Sequence, residues 1–301
     1  MSQGIIISKR DSAILSFLDL TPATAAQIRK VSTTYGEDAF RDERRVRERL
    51  QALGDAGLVK NFSLASNGGG LMSYYRLTPE GYRAAYPDMT ESPPRTNFNE
   101  VAPSRVRHAM ATADAIAHTI NCCHFGGVEI MRSLGDGRLI LEVGEHRQLP
   151  DFHFQLRKAG KTFNLVFEID NATEPIDSKR EQSIRSKILG YETYQNWVLG
   201  LWARSGRVGP RPSFRVVFLT IGADRANHML WLAHELAYTK DRRLVYATTQ
   251  DNYLGDTLAV THPIFNDHLG DWQSLVNYQA TSGFLRERVR LKRPIARIEM
   301  L

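Results

Sequence analysis

The residues best placed to do chemistry are carboxylates. Asp151 follows Pro150 at the head of Phe152-His153-Phe154-Gln155-Leu156, and Glu168-Ile169-Asp170 begins after a gap of sixteen residues. Successive side chains of a strand point to opposite faces. Phe152, Phe154 and Leu156 then share one face, while Asp151, His153 and Gln155 share the other. By the same alternation Leu165, Phe167 and Ile169 lie on one face, and Glu168 and Asp170 on the other. Ala159-Gly160-Lys161 reads as a turn between the two runs. If the runs form a hairpin, three carboxylates converge on one sheet face. A cation is within reach. In the next segment Arg180, Lys187 and Tyr194 recur every seven residues along the edge of an apolar stripe of Ile184, Ile188 and Tyr191. Helical phase turns Lys187 inward and Lys179 away, with Arg180 as a substitute cation.

Other reactive residues have weaker patterns. His118 and Cys122 stand at i, i+4 beside Cys123 and His124. A zinc site there needs a further ligand pair, and none is spaced for it. His153 shares the carboxylate face and is a minor candidate for water activation or metal binding. Asn67-Gly68-Gly69-Gly70 reads as a hairpin tip, because no lysine-serine or lysine-threonine pair follows to make a phosphate loop.

The elements that must carry these residues come from a chain of 301 residues, 42% hydrophobic and 24% charged. That is enough for one large domain or two modest ones, and it excludes a disulfide-stapled scaffold and a wholly disordered chain. Net charge is +6, which permits nucleic-acid binding without establishing it. The two cysteines are adjacent and form no CxxC pair, which fits a reducing cytoplasm. The first ten residues lack a signal-peptide pattern, and no apolar run approaches the ~18–20 residues that cross a bilayer. The expected location is cytoplasmic, with no membrane partner. Periodicity stops around Pro93-Pro94, so residues 88–102 read as a linker between a unit at 1–87 and another at 103–285. Residues 286–301 form a basic tail, suited to phosphate contact or to covering a sheet edge.

In the first unit, helices are expected at 11–20, around Ala25–Ile28 and at 40–56. Val46, Leu50 and Leu53 form the buried stripe of the third. Its opposite face carries Arg41, Arg44, Glu48 and Gln51, flanked by Arg45 and Arg47. Strands at 58–64 and 72–77 follow, then a short helix with Thr78 as N-cap and Pro79 at its first position. Three helices and a hairpin in this order make a winged helix-turn-helix. The run Leu50-x-x-Leu53-Gly54-x-x-Gly57-Leu58-Val59 and the later Leu77-Thr78-Pro79-x-Gly81 resemble many bacterial winged-helix proteins. An arginine-rich helix face fits a DNA major groove, and Arg41, Arg44, Arg45, Arg47 and Gln51 are the candidate contacts. A solvated face paired with Asp42, Glu43 and Glu48 is the alternative.

In the second unit a helix at 103–123 precedes strands at 128–131, 139–143, 151–156 and 162–170. A helix at 178–197, a buried parallel strand at 213–220, a helix at 224–238 and a strand at 243–248 complete it. The fold class is α/β, α+β overall. This succession, with Pro150-Asp151 and Glu168-Ile169-Asp170, resembles the PD-(D/E)xK restriction-endonuclease-like mixed-sheet fold. The resemblance implies that Asp151, Glu168 and Asp170 hold Mg²⁺ or Mn²⁺, which activates water against a phosphodiester. Position 170 is aspartate where that superfamily has lysine, and Lys187 is the candidate replacement. A nucleophilic role for Tyr191 or Tyr194 is a remote alternative.

The winged helix, Pro150-Asp151, Phe167-Glu168-Ile169-Asp170-Asn171-Ala172-Thr173-Glu174 and Lys187-x-x-x-Tyr191 together resemble the replication-relaxation family of plasmids and mobile elements. That resemblance covers roughly residues 10–250. It implies double-stranded DNA as partner, with a homodimer and plasmid replication or mobilisation proteins as further partners. Two readings stay open: a Mg²⁺-dependent endonuclease or nickase with Asp151, Glu168, Asp170 and Lys187 as catalytic residues, and a non-catalytic DNA-binding accessory factor.

Overall fold

A computed structural model describes residues 6–64, 72–89, 93–180, 182–209, 211–239, 241–276 and the strand 289–291. The chain divides into two compact units, Met1–Asn121 and Cys122–Leu301. The division falls later than the proline-rich stretch 88–102.

The first unit starts with helix α1, Lys9–Leu20. Ser8 and Asp11 form a reciprocal capping box, which satisfies backbone donors that the first turn leaves open. Arg49 Nε donates to Asp11 Oδ1 at 2.6 Å, so the buried carboxylate is also paired. Strand β1, Ala23–Thr24, leads into α2, Ala25–Ser32. Helix α3, Glu43–Asp55, is capped by Asp42 and buries Val46, Leu50 and Leu53. Strands β2, Val59–Leu64, and β3, Met72–Leu77, pair antiparallel, and β1 adds to the free edge of β3. The expected hairpin tip at Asn67–Gly70 lies outside the described residues. Helix α4, Pro79–Ala85, begins at Thr78, whose hydroxyl accepts from Gly81 N. A methyl group on Gly81 would stand 1.9 Å from the carbonyl oxygen of Leu58, so only glycine permits this approach. Helix α5, Pro103–Phe125, spans the division. Within the first unit, Gln27 Nε2 donates to Asp114 Oδ1 at 2.8 Å and Asn121 Nδ2 donates to Lys30 O at 2.9 Å.

The second unit contains β4 (Glu129–Leu134), β5 (Leu139–Val143), β6 (His146–Gln148), β7 (Phe152–Lys158) and β8 (Lys161–Asp170). Then come α6 (Ile184–Arg204), β9 (Arg215–Thr220), α7 (Ala223–Leu236), β10 (Val245–Thr249) and α8 (Gln250–Gly255). Short strands β11 (Phe265–Asp267), β12 (Trp272–Gln273) and β13 (Val289–Leu291) complete it. Seven strands form one mixed sheet in the order β12-β11-β10-β9-β8-β7-β4. Its centre, β8, β9 and β10, is parallel. A separate small sheet has the order β13-β5-β6, so Val289–Leu291 of the basic tail covers an edge of β5. The rest of that tail lies outside the described residues.

The β7–β8 hairpin has the expected register, with Phe152 opposite Phe167 and Lys158 opposite Lys161. Ala159 and Gly160 both take positive φ at its turn, which matches the twist of the two strands. One sheet face is aromatic: Phe152 stacks on Phe167 with ring centroids 4.3 Å apart. The other joins Val166, Val216, Phe218 and Ala247 to Ile184, Ile188 and Tyr191 of α6 and to Met229 and Leu232 of α7.

Helix α6 departs from expectation. It starts at Ile184, not near Ser178, and runs on to Arg204. Ser183 is its N-cap, accepting from Ser186 N at 3.2 Å and donating to the carbonyls of Ser178 and Arg180 at 2.8 Å. Residue 180 therefore precedes the helix, which leaves the seven-residue edge with Lys187 and Tyr194 only.

Candidate functional site

Strand β8 presents Glu168 on the face covered by α6. The β7–β8 pairing brings in Asp151, whose backbone N donates to Phe167 O at 3.1 Å and whose Oδ2 accepts from Ile169 N at 2.6 Å. Lys187, on the first turn of α6, donates from Nζ to Glu168 Oε2 at 2.9 Å. One turn later, the Tyr191 hydroxyl donates to Glu168 Oε1. Glu174, in the loop after β8, accepts a second contact from Lys187 Nζ at 3.0 Å. The ammonium thus lies between two carboxylates. Glu168 is buried, whereas the side chains of Lys187 and Glu174 retain 25% and 30% exposure, so the cluster opens to solvent on their side.

Charge in this cluster is strained. Burial is the largest effect on Glu168 and pushes its carboxyl up, to about 7. The Lys187 ammonium opposes that rise, and the nearby charge of Asp151 adds to it. Burial alone would lower the Lys187 ammonium, yet Glu168, Asp151 and Glu174 hold it well above the ordinary lysine value. Lys187 therefore stays a cation.

Asp170 takes a different part. Its carboxylate pairs with Arg225 of α7, including a 2.7 Å contact from Nη2 to Oδ1, and Thr220 Oγ1 donates to Oδ2 at 2.7 Å. Arg225 Nη2 also donates to the carbonyl of Glu174 at 2.6 Å. The expected convergence of three carboxylates is thus met by Asp151 and Glu168, while Asp170 anchors the loop that carries Glu174. Among the described residues no three histidine, cysteine or acidic side chains form a metal-holding group. The donor set that remains is two hard carboxylates, and Mg²⁺ commonly binds through one or two, keeping waters and substrate phosphates as its other ligands. Both Glu168 oxygens are engaged by Lys187 and Tyr191, and Asp151 Oδ2 by Ile169 N, so an ion there would share these oxygens with their present donors.

The other candidates resolve simply. His153 is buried, and burial, reinforced by the charge of Arg132, pushes it down to about 3, so it is neutral. Tyr191 and Tyr194 are core residues, and burial raises both phenols far from an ionised nucleophile. Cys122 and Cys123 are buried thiols, and His118 Nδ1 lies 3.1 Å from Lys30 Nζ.

On α3, Arg44 and Arg45 pair with Glu48 at 3.3 and 3.0 Å, and Arg47 pairs with Glu43 at 3.3 Å. Gln51 donates to Asp55 at 2.7 Å, and Arg41 is exposed just ahead of the helix. This face is solvated and mixed in sign. Sequence reading missed Glu174, the bond from Tyr191 to Glu168, and Arg225. Glu174 ends the acidic run 168–174, and Tyr191 follows Lys187 by four residues, so both had local signals; Arg225 had none.

A model of the replication-relaxation family matches residues 16–206. No curated protein matches the chain. Among solved structures, the restriction endonuclease FokI is similar at 11% identity over 83% of this chain and 43% of that one, with a TM-score of 0.28. FokI bound to DNA is similar at 10% identity, over 83% and 44%, with a TM-score of 0.30. The chain spans less than half the length of either FokI chain. No helix among the described residues is long and apolar enough to cross a membrane.

Proposed function

The chain belongs to the replication-relaxation family, and from that premise we propose that it is a DNA-acting protein of a mobile element with a PD-(D/E)xK-like phosphodiester-hydrolysing site. The observation that carries this reading is the 2.9 Å contact of Lys187 with Glu168 beside Asp151. Helix α6 supplies the cation that the motif lacks at Asp170. Asp151 and Glu168 are the residues that would hold Mg²⁺ or Mn²⁺. Such an ion would supply Lewis-acid stabilisation of charge on the phosphate. Lys187 places a fixed positive charge where charge grows on the phosphate oxygens, and Tyr191 orients Glu168 through its second oxygen. Water oxygen bonds to phosphorus as one P–O ester bond breaks, and the proton the water gives up balances the one the leaving oxygen gains. The 1–87 unit serves as a winged helix that reads duplex DNA through α3.

A second reading is an accessory DNA-binding factor with a structural acidic cluster. The engagement of both Glu168 oxygens by Lys187 and Tyr191 favours it. Incubation with supercoiled plasmid and Mg²⁺ or Mn²⁺ separates the two. We expect nicking by the wild type, its loss in Asp151→Asn and Glu168→Gln, and a fall on the order of 10²-fold in Lys187→Met. Equal nicking by all four proteins, or by none, supports the accessory factor.

A further inference from the structure

The sequence between Glu192 and Asp224 contains no acidic residue and four arginines, Arg204, Arg207, Arg211 and Arg215. Arg204 ends α6, and Arg207 and Arg211 follow in the loop before β9. All three are exposed, and none has an ion-pair partner among the described residues. Arg44, Arg45 and Arg47 of α3 differ, since carboxylates one turn away pair with them. Aromatic rings brace this end of the unit. The Arg211 guanidinium lies 5.9 Å from the Trp202 ring, and Arg215 lies over Phe163 and Tyr246 at 5.9 and 5.4 Å. A guanidinium resting on a ring keeps its N–H fork in plane and available to oxygen acceptors.

Position matters as much as charge. Lys187 and Arg204 stand near opposite ends of α6, seventeen residues apart, which is roughly 25 Å of helix. One strand of B-DNA covers that distance in about seven nucleotides at 3.4 Å each. A duplex seated at the acidic cluster is long enough to reach the arginines.

We propose that Arg204, Arg207 and Arg211 form a phosphate-backbone clamp, a second DNA-contact surface in the 122–301 unit that works without reading sequence. This rests on the DNA-acting reading above. The clamp contributes affinity by displacing counterions, so it acts through the salt dependence of binding.

The test uses the full chain and a duplex of about 20 base pairs, with affinity measured across salt concentrations. We expect the Arg204→Gln/Arg207→Gln/Arg211→Gln variant to lower the slope of log K against log salt by about two to three. The corresponding triple lysine variant should restore the slope, because counterion release follows the number of phosphates neutralised and not the donor geometry. Wild-type slope and affinity in the glutamine variant would overturn the clamp alone. A deficit of that variant on anionic vesicles, with duplex binding intact, would overturn it in favour of a membrane surface. Absence of duplex binding by the wild type would instead overturn the DNA-acting reading and the clamp with it.

Discussion

Glu168 accepts from a lysine and a tyrosine at once while sitting within the field of a second carboxylate. Its folded-state value, raised to about 7, lies above the ordinary carboxylate value of 4.5. A group raised in this way contributes stability fully below its unfolded value, and that contribution is lost as pH rises through the folded value. Thermal melts should therefore show the wild type losing stability relative to Glu168→Gln as pH rises from 4.5 to about 7. A difference that stays flat, or grows in favour of the wild type, would show that Lys187 fully compensates the buried charge. The same residues show what a local pattern can and cannot give. Alternation placed Glu168 and Asp170 on one face, and period-two geometry guarantees that much. It could not decide their partners. Lys187 was legible from helical phase, but Arg225 comes from 55 residues beyond Asp170 and takes that carboxylate out of the cluster.

Elements were legible where hydrophobic periodicity coincided with a turn or a cap. The β7–β8 hairpin is the clearest case, because two alternating runs flank Ala159-Gly160. The start of α6 was not, because Ser178 and Ser183 are equally good caps by residue type. Tertiary hydrogen bonds decided it: the backbones of Ile184 and Arg185 donate to the carbonyls of Pro175 and Ile176, so the chain from Pro175 turns back on the start of the helix. The β13-β5-β6 sheet was legible only in part: a strand at 139–143 and a tail suited to covering a sheet edge were expected, but β6 is three residues long and the pairing of β5 with the far end of the chain leaves no local signal. Close packing of helix on backbone also escapes sequence reading. Gly81→Ala should cost about 1–3 kcal/mol in unfolding measurements on the first unit, because the added methyl meets the Leu58 carbonyl and α4 must move. A variant as stable as the wild type would mean that α4 is not held against that carbonyl.

The whole molecule distributes charge by task. Residues 1–92 carry 12 basic and 11 acidic residues, and the remaining chain carries 27 and 22, so the positive excess sits mainly outside the first unit. In the second unit, carboxylates gather at the C-terminal end of β8 and arginines gather beyond the C-terminal end of α6. Under the proposed function, long-range attraction would bring a polyanion to such a surface, and a divalent cation at the acidic cluster would let a phosphate approach it. The claim underlying this account is that Asp151 and Glu168 share that cation. Counting bound Mn²⁺ by electron paramagnetic resonance, at neutral pH and without DNA, tests it most directly. The account predicts one ion per chain in the wild type, lost in both Asp151→Asn and Glu168→Gln. Binding that survives both substitutions, or a wild type that binds none, would contradict it.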